Sequence, residues 1–196
     1  MTTSWLGAAR LCLTLVVASL FAGCSTTRSQ SVASSDTKDI VTASDETEVA
    51  KRARLRMELA AGYFGSGQMT TALDQVKLAL IADPNLSEAY NLRGLIYANL
   101  GDERLAEESF RRALQLNPHD NDAMQNLGYF YCQKKRYPEA NVMFDQALAE
   151  PLNREPSRTL LTKGVCQAFA GQLAESEATL SRAYALDAAN PAIAVN

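Results

Sequence analysis

The chain repeats one pattern of residue sizes at a period of thirty-four. Ala60, Tyr63, Ala72, Val76, Ala79, Leu80 and Pro84 are followed, thirty-four residues on, by Gly94, Tyr97, Ala106, Phe110, Ala113, Leu114 and Pro118. A third copy supplies Gly128, Tyr131, Ala140, Phe144, Ala147 and Leu148. A fixed period of this kind predicts units that stack in one dimension, because one unit cannot bury its own apolar side. Each copy reads as two antiparallel helices. In the second copy the first helix is expected over 87–100, ended by Gly101, a residue tolerant of positive φ. Asp102 then caps the second helix, with Glu103 in its first turn, and Pro118 stops it. Gly67 and Gly171 match Gly101, whereas the third copy has Lys135 there and compensates with Pro138 in the first turn of the next helix. Gly94 and Gly128 are small where a neighbouring helix must come close, and Tyr97 and Tyr131 fill the gap beside them. These aromatics read as core and are assigned no chemistry.

Small, aromatic, small, apolar and small residues in this order are the signature of the tetratricopeptide repeat, which needs about three copies for stability. The expected fold is therefore all-α, a solenoid of about four helix pairs over residues 45–188. The repeats fall at about 53–86, 87–120, 121–156 and 157–190, with 189–196 as a tail. The period slips to thirty-six between the third and fourth copies: Gly128 pairs with Gly164, Phe144 with Leu180 and Ala147 with Ala183. Two residues are thus added within 150–156, a polar loop bracketed by Pro151 and Pro156. That loop is either a partner contact or a surface bulge. Asp45 and Glu48 form an expected capping box for the first helix, which reads about two turns longer than its counterparts. Lys51, Arg52, Arg54 and Arg56 lie on it, either as a contact for anionic lipid or an acidic partner, or as a solvated face.

Composition narrows the function. An apolar fraction of 47% supports a packed core, and a net charge of −3 without a basic stripe argues against nucleic acid. No acid, base and nucleophile converge in the pattern, and Asp74, Glu107 and Glu108 read as helix-surface carboxylates. The chain is read as a non-enzyme without cofactor or metal. Its single histidine, His119, lies far in sequence from either core thiol.

The first residues read as targeting. Arg10 precedes an apolar run over 11–22, too short to span a bilayer alone. The run ends in Phe21-Ala22-Gly23-Cys24, which resembles the bacterial lipobox with Phe in place of the usual Leu. The resemblance implies a signal peptide over 1–23, cleavage before Cys24 and lipid on that cysteine; Ser25 in the next position implies the outer membrane. The alternatives are an ordinary secretory signal cut nearby or an uncleaved anchor. Several acyl chains anchor firmly, at about 0.8 kcal/mol per buried methylene. Residues 25–44 are rich in Ser and Thr and read as a flexible tether spanning roughly 25 Å on average.

Of four cysteines, Cys12 leaves with the signal and Cys24 carries lipid. Cys132 and Cys166 remain, both on first helices one repeat apart, in a chain addressed to an oxidising compartment. A disulfide between them is the expectation; two buried free thiols are the alternative.

Residues 125–187 carry a more specific pattern. Gln125-Asn126-Leu127-Gly128-Tyr129-Phe130-Tyr131-Cys132 is followed by Arg136-Tyr137-Pro138-Glu139-Ala140, then Ala147-Leu148-Ala149-Glu150-Pro151, the proline-bracketed insertion, and Lys163-Gly164-Val165-Cys166. Behind a lipobox, this order resembles the PilF/PilW family of type IV pilus biogenesis lipoproteins. The resemblance implies a pilotin, an outer-membrane lipoprotein that binds the pilus secretin and helps it reach, multimerise in or stay assembled in that membrane. The family has about six repeats, and here a fifth would begin at Asn190-Pro191. Leu180, Tyr184 and Leu186 are therefore expected to leave an apolar flank. The tail, a partner, a second copy or further chain would cover it.

In stacked repeats the first helices line the inner face. The expected partner groove comprises Asn91, Leu95 and Ala98 from the second copy, Gln125 and Tyr129 from the third, and Arg158, Leu161 and Val165 from the fourth. An apolar floor with amide edges suits an extended peptide or a helix. The other reading of function is a general periplasmic scaffold for cell-wall or outer-membrane assembly proteins.

Overall fold

The structure, a computed structural model, describes residues 47–187. The expected signal peptide, Cys24, the tether and the tail lie outside the described residues. Within them are eight helices and no strand. They are α1 (Glu48–Gly65), α2 (Met69–Ala82), α3 (Ser87–Leu100), α4 (Glu103–Leu116), α5 (Asn121–Gln133), α6 (Tyr137–Ala149), α7 (Pro156–Phe169) and α8 (Leu173–Leu186). They pack as four sequential hairpins, each leaning on the next. First helices also touch the first helix of the following hairpin, while no comparable packing joins the second helices. The first helices are the tighter row, and the second helices are splayed.

The repeat pattern is the packing pattern. Ala72, Ala106 and Ala140, and two turns on Ala79, Ala113 and Ala147, with Ala183 in the last hairpin, are fully buried. Between them Val76, Phe110 and Phe144 are buried side chains of each second helix. A methyl group on Gly94 would meet the Phe110 ring at 2.6 Å, one on Gly128 the Phe144 ring at 2.9 Å, and one on Gly164 the Leu180 side chain at 2.7 Å. The close approach is thus to a large side chain of the same hairpin. In the first hairpin the smaller Val76 shares its cluster with Ala60, which can keep its methyl. Leu180, expected on the exposed flank, is instead half-buried against Gly164, whereas Tyr184 and Leu186 are exposed.

The helix ends refine the expected pattern. The observed cap of α1 is Thr47, whose side chain accepts from the Ala50 amide at 3.1 Å; Asp45 lies outside the described residues. With 18 residues against 13 or 14 in the others, α1 is longer by about one turn. Gly67, Gly101 and Gly171 all have positive φ, and Lys135 takes the same conformation at φ 57°, while Pro138 stands in the first turn of α6 as expected. The insertion forms the turn between α6 and α7, where Pro156 is already in the first turn of α7. Asn153 ties this turn to α6 by donating to the Ala147 carbonyl at 2.8 Å.

Candidate functional site

The inner row of first helices is less open than the sequence suggests. Gln125 is 8% exposed, and its side-chain oxygen accepts from the Thr159 hydroxyl at 3.0 Å. Through that oxygen it links α5 to α7. Asn91 accepts from the Asn126 amide at 3.0 Å, an equivalent link between α3 and α5. Leu95, Ala98 and Leu161 are half-buried and packed against core clusters. Arg158 pairs with Glu155 at 2.9 Å near the insertion turn. Of the eight expected groove residues, Tyr129 at 49% and Val165 at 41% are the exposed apolar ones. The row is knit together by its own amides, and the apolar surface it offers is small.

The larger apolar surface lies on the first hairpin. Val49, Leu55 and Leu59 of α1 and Leu78 and Ile81 of α2 are all exposed, Ile81 at 77%, and line a groove of about 730 Å³. Arg52 and Arg56 stand on its rim. Arg52 donates to the Glu48 carbonyl and Arg56 to the Gln75 side chain; among the described residues neither is paired with a carboxylate. By contrast, Lys51 lies 4.0 Å from Glu48, and Arg54 is paired with Glu58. The basic cluster is thus divided between a solvated face and the rim of an apolar groove. Sequence reasoning offered the basic cluster as a contact and placed no apolar groove beside it. The signal was available in the register: Leu55, Leu59 and Ile81 stand where the next copy has Ala89, Arg93 and Gln115.

Residues 87–120 match the tetratricopeptide repeat family. The type IV pilus assembly protein PilF of Pseudomonas aeruginosa is 24% identical over 139 residues, covering 71% of this chain and 55% of PilF. The crystal structure of PilW, described as a widely conserved type IV pilus biogenesis factor, superposes with a TM-score of 0.69 at 32% identity. It covers 76% of this chain and 66% of PilW. The chain belongs to the PilF/PilW type of tetratricopeptide-repeat proteins. The solved structure of Pseudomonas aeruginosa PilF has the same fold, with a TM-score of 0.72 at 22% identity over 75% of this chain and 66% of that one. The chain spans just over half the length of the curated PilF it matches.

Two further clusters in this PilF/PilW-type chain bear on its chemistry. Glu107, read from sequence as a plain surface carboxylate, sits at the contact of the second and third hairpins. It accepts from Tyr131 at 2.9 Å, pairs with Arg111 at 2.8 Å and with Arg136 at 2.7 Å. Burial pushes its carboxyl up, but hydrogen bonds from Arg136, Tyr131 and Arg111 and the Arg136 charge together outweigh it, leaving it below the ordinary value. A carboxylate held ionised between two guanidiniums is an ion-pair anchor and a poor proton shuttle. The sulfurs of Cys132 on α5 and Cys166 on α7 lie within bonding distance, with Cα atoms 5.8 Å apart. Among the described residues no three His, Cys, Asp or Glu side chains gather as a metal site. The His119 ring lies 3.1 Å from Glu150, joining the turn before α5 to the turn after α6.

Proposed function

We propose that this chain is a lipid-anchored adaptor of type IV pilus biogenesis at the periplasmic face of the outer membrane. There it binds a segment of the pilus secretin and promotes its localisation, multimerisation or stability. The single observation that carries the reading is the apolar groove between α1 and α2, rimmed by Arg52 and Arg56. An aqueous protein keeps such a surface for a partner, and the rim selects a segment with large apolar side chains flanked by carboxylates. The relatedness to PilF and PilW supports the pilus setting. Lipid on Cys24 would hold the groove beside the membrane in which a secretin assembles.

Purified wild-type protein and the variants Ile81→Glu and Leu55→Glu would be titrated against the soluble periplasmic part of the secretin. Each charged side chain desolvates badly in an apolar contact, so binding should weaken at least about tenfold. In cells, deletion should abolish twitching and secretin multimers, and Cys24→Ala should release the protein from the outer membrane. Unchanged binding by both groove variants would defeat the reading. Normal pili with a cell-shape or envelope defect would favour the general periplasmic scaffold.

A further inference from the structure

A second surface is set apart by comparing the hairpins with one another. The residues just before the packing glycines, at 93, 127 and 163, reach the row of second helices. Arg93 donates to Ser109 on α4 at 2.9 Å. Lys163 pairs with Asp145 on α6. Leu127, the residue between these two in the series, is short and carries no polar head. An open apolar slot of about 470 Å³ remains between α4 and α6, floored by Leu114, Leu127 and Met143, with Val142 52% exposed at its lip. Beside the slot, α3 and α4 gather guanidinium groups. Arg93 and Arg112 both lie over the Tyr90 ring, at 4.7 and 5.7 Å, and Arg111 lines the slot itself. Among the described residues Arg93 and Arg112 have no carboxylate partner.

From this we infer that the outer face of the second and third hairpins docks an amphipathic helical segment. Its apolar stripe enters between Leu114 and Val142, and its carboxylates meet Arg93 and Arg112. Planar guanidiniums suit discrete carboxylates, which they bind in bidentate fashion. A flat anionic membrane fits less well, because Glu108 and Glu139 stand at the edges of the same surface. This face shares no residue with the groove between α1 and α2, so the protein would hold two polypeptides at once.

The probe is a fluorescent synthetic peptide of about eighteen residues with Leu at helical i, i+3, i+4 spacing and Glu elsewhere. Its affinity is measured by anisotropy for wild type, Val142→Glu, Arg112→Glu and Ile81→Glu. Val142 is exposed and Arg112 half-buried, and circular dichroism confirms the fold; Gln115→Glu is a further variant on the same wall. The expected result is about tenfold weaker binding by Val142→Glu and Arg112→Glu, with Ile81→Glu unchanged. Equal binding of a Leu/Lys peptide, undiminished binding by Val142→Glu, or a loss confined to Ile81→Glu would each overturn the inference. So would capture by phosphatidylglycerol vesicles, sensitive to Arg112→Glu, in the absence of peptide binding.

Discussion

Glycine at 128 is fixed by an aromatic ring. A methyl group there would lie 2.9 Å from the Phe144 ring and 3.2 Å from the Met143 Cβ, and Phe144 is fully buried with nowhere to swing. Gly128→Ala should therefore cost about 1–3 kcal/mol, as overpacking does in close-packed interiors. It would be read as a lower urea midpoint at unchanged slope. The first hairpin shows the remedy, since Ala60 shares its cluster with the smaller Val76. Gly128→Ala combined with Phe144→Val should thus be less destabilised than the sum of the two single changes. A strictly additive cycle would mean that the ring is not what excludes the methyl. Sequence alone showed that these positions are small because a neighbouring helix comes close; that one large side chain of the same hairpin sets the limit is seen only in the structure. Nor did the sequence show Lys135 at positive φ, which only the backbone reveals.

Between hairpins, the link that matters most was illegible in the sequence. Glu107 and Arg111 are one helical turn apart, and spacing alone suggests a surface pair of little consequence. Tyr131 and Arg136 are 24 and 29 residues further on, and reach Glu107 only because the third hairpin leans on the second. The same limit applies to Gln125, whose side-chain oxygen accepts from Thr159 in the next hairpin. A repeat period tells which residues share a face and leaves open which of them their neighbours have already claimed. The Glu107 cluster has a pH signature. Its carboxyl lies below the ordinary value of 4.5, so the stability it contributes is complete above that pH and is lost as pH falls through the folded value. Glu107→Gln should be less stable than wild type at neutral pH, and the gap should narrow below about pH 4.5. Melting temperatures measured across that range check this; parallel curves would show that Glu107 ionisation is not coupled to folding.

Among the described residues the stack is held by nearest-neighbour contacts, with no comparable packing between hairpins further apart. Stability in such a chain is a sum of unit and junction terms, and a change at one junction is felt locally. Cys132 and Cys166 lie at the junction of the third and fourth hairpins, 34 residues apart, although register equivalents here recur after thirty-six. The two spacings are compatible, because equivalent residues face their own second helix whereas the cysteines face each other across two first helices. Closing a loop of this length restricts the unfolded chain, worth roughly 3–4 kcal/mol on the chain-entropy account. The mature protein, denatured without reductant, should accordingly show neither core thiol to a thiol reagent. Reduction should then raise amide hydrogen exchange in α7 and α8 while leaving α1 and α2 protected as before. Two titratable core thiols would exclude the bond. Uniform loosening of all four hairpins on reduction would instead exclude the local, one-dimensional coupling, because a single junction could then unlock the far end of the stack.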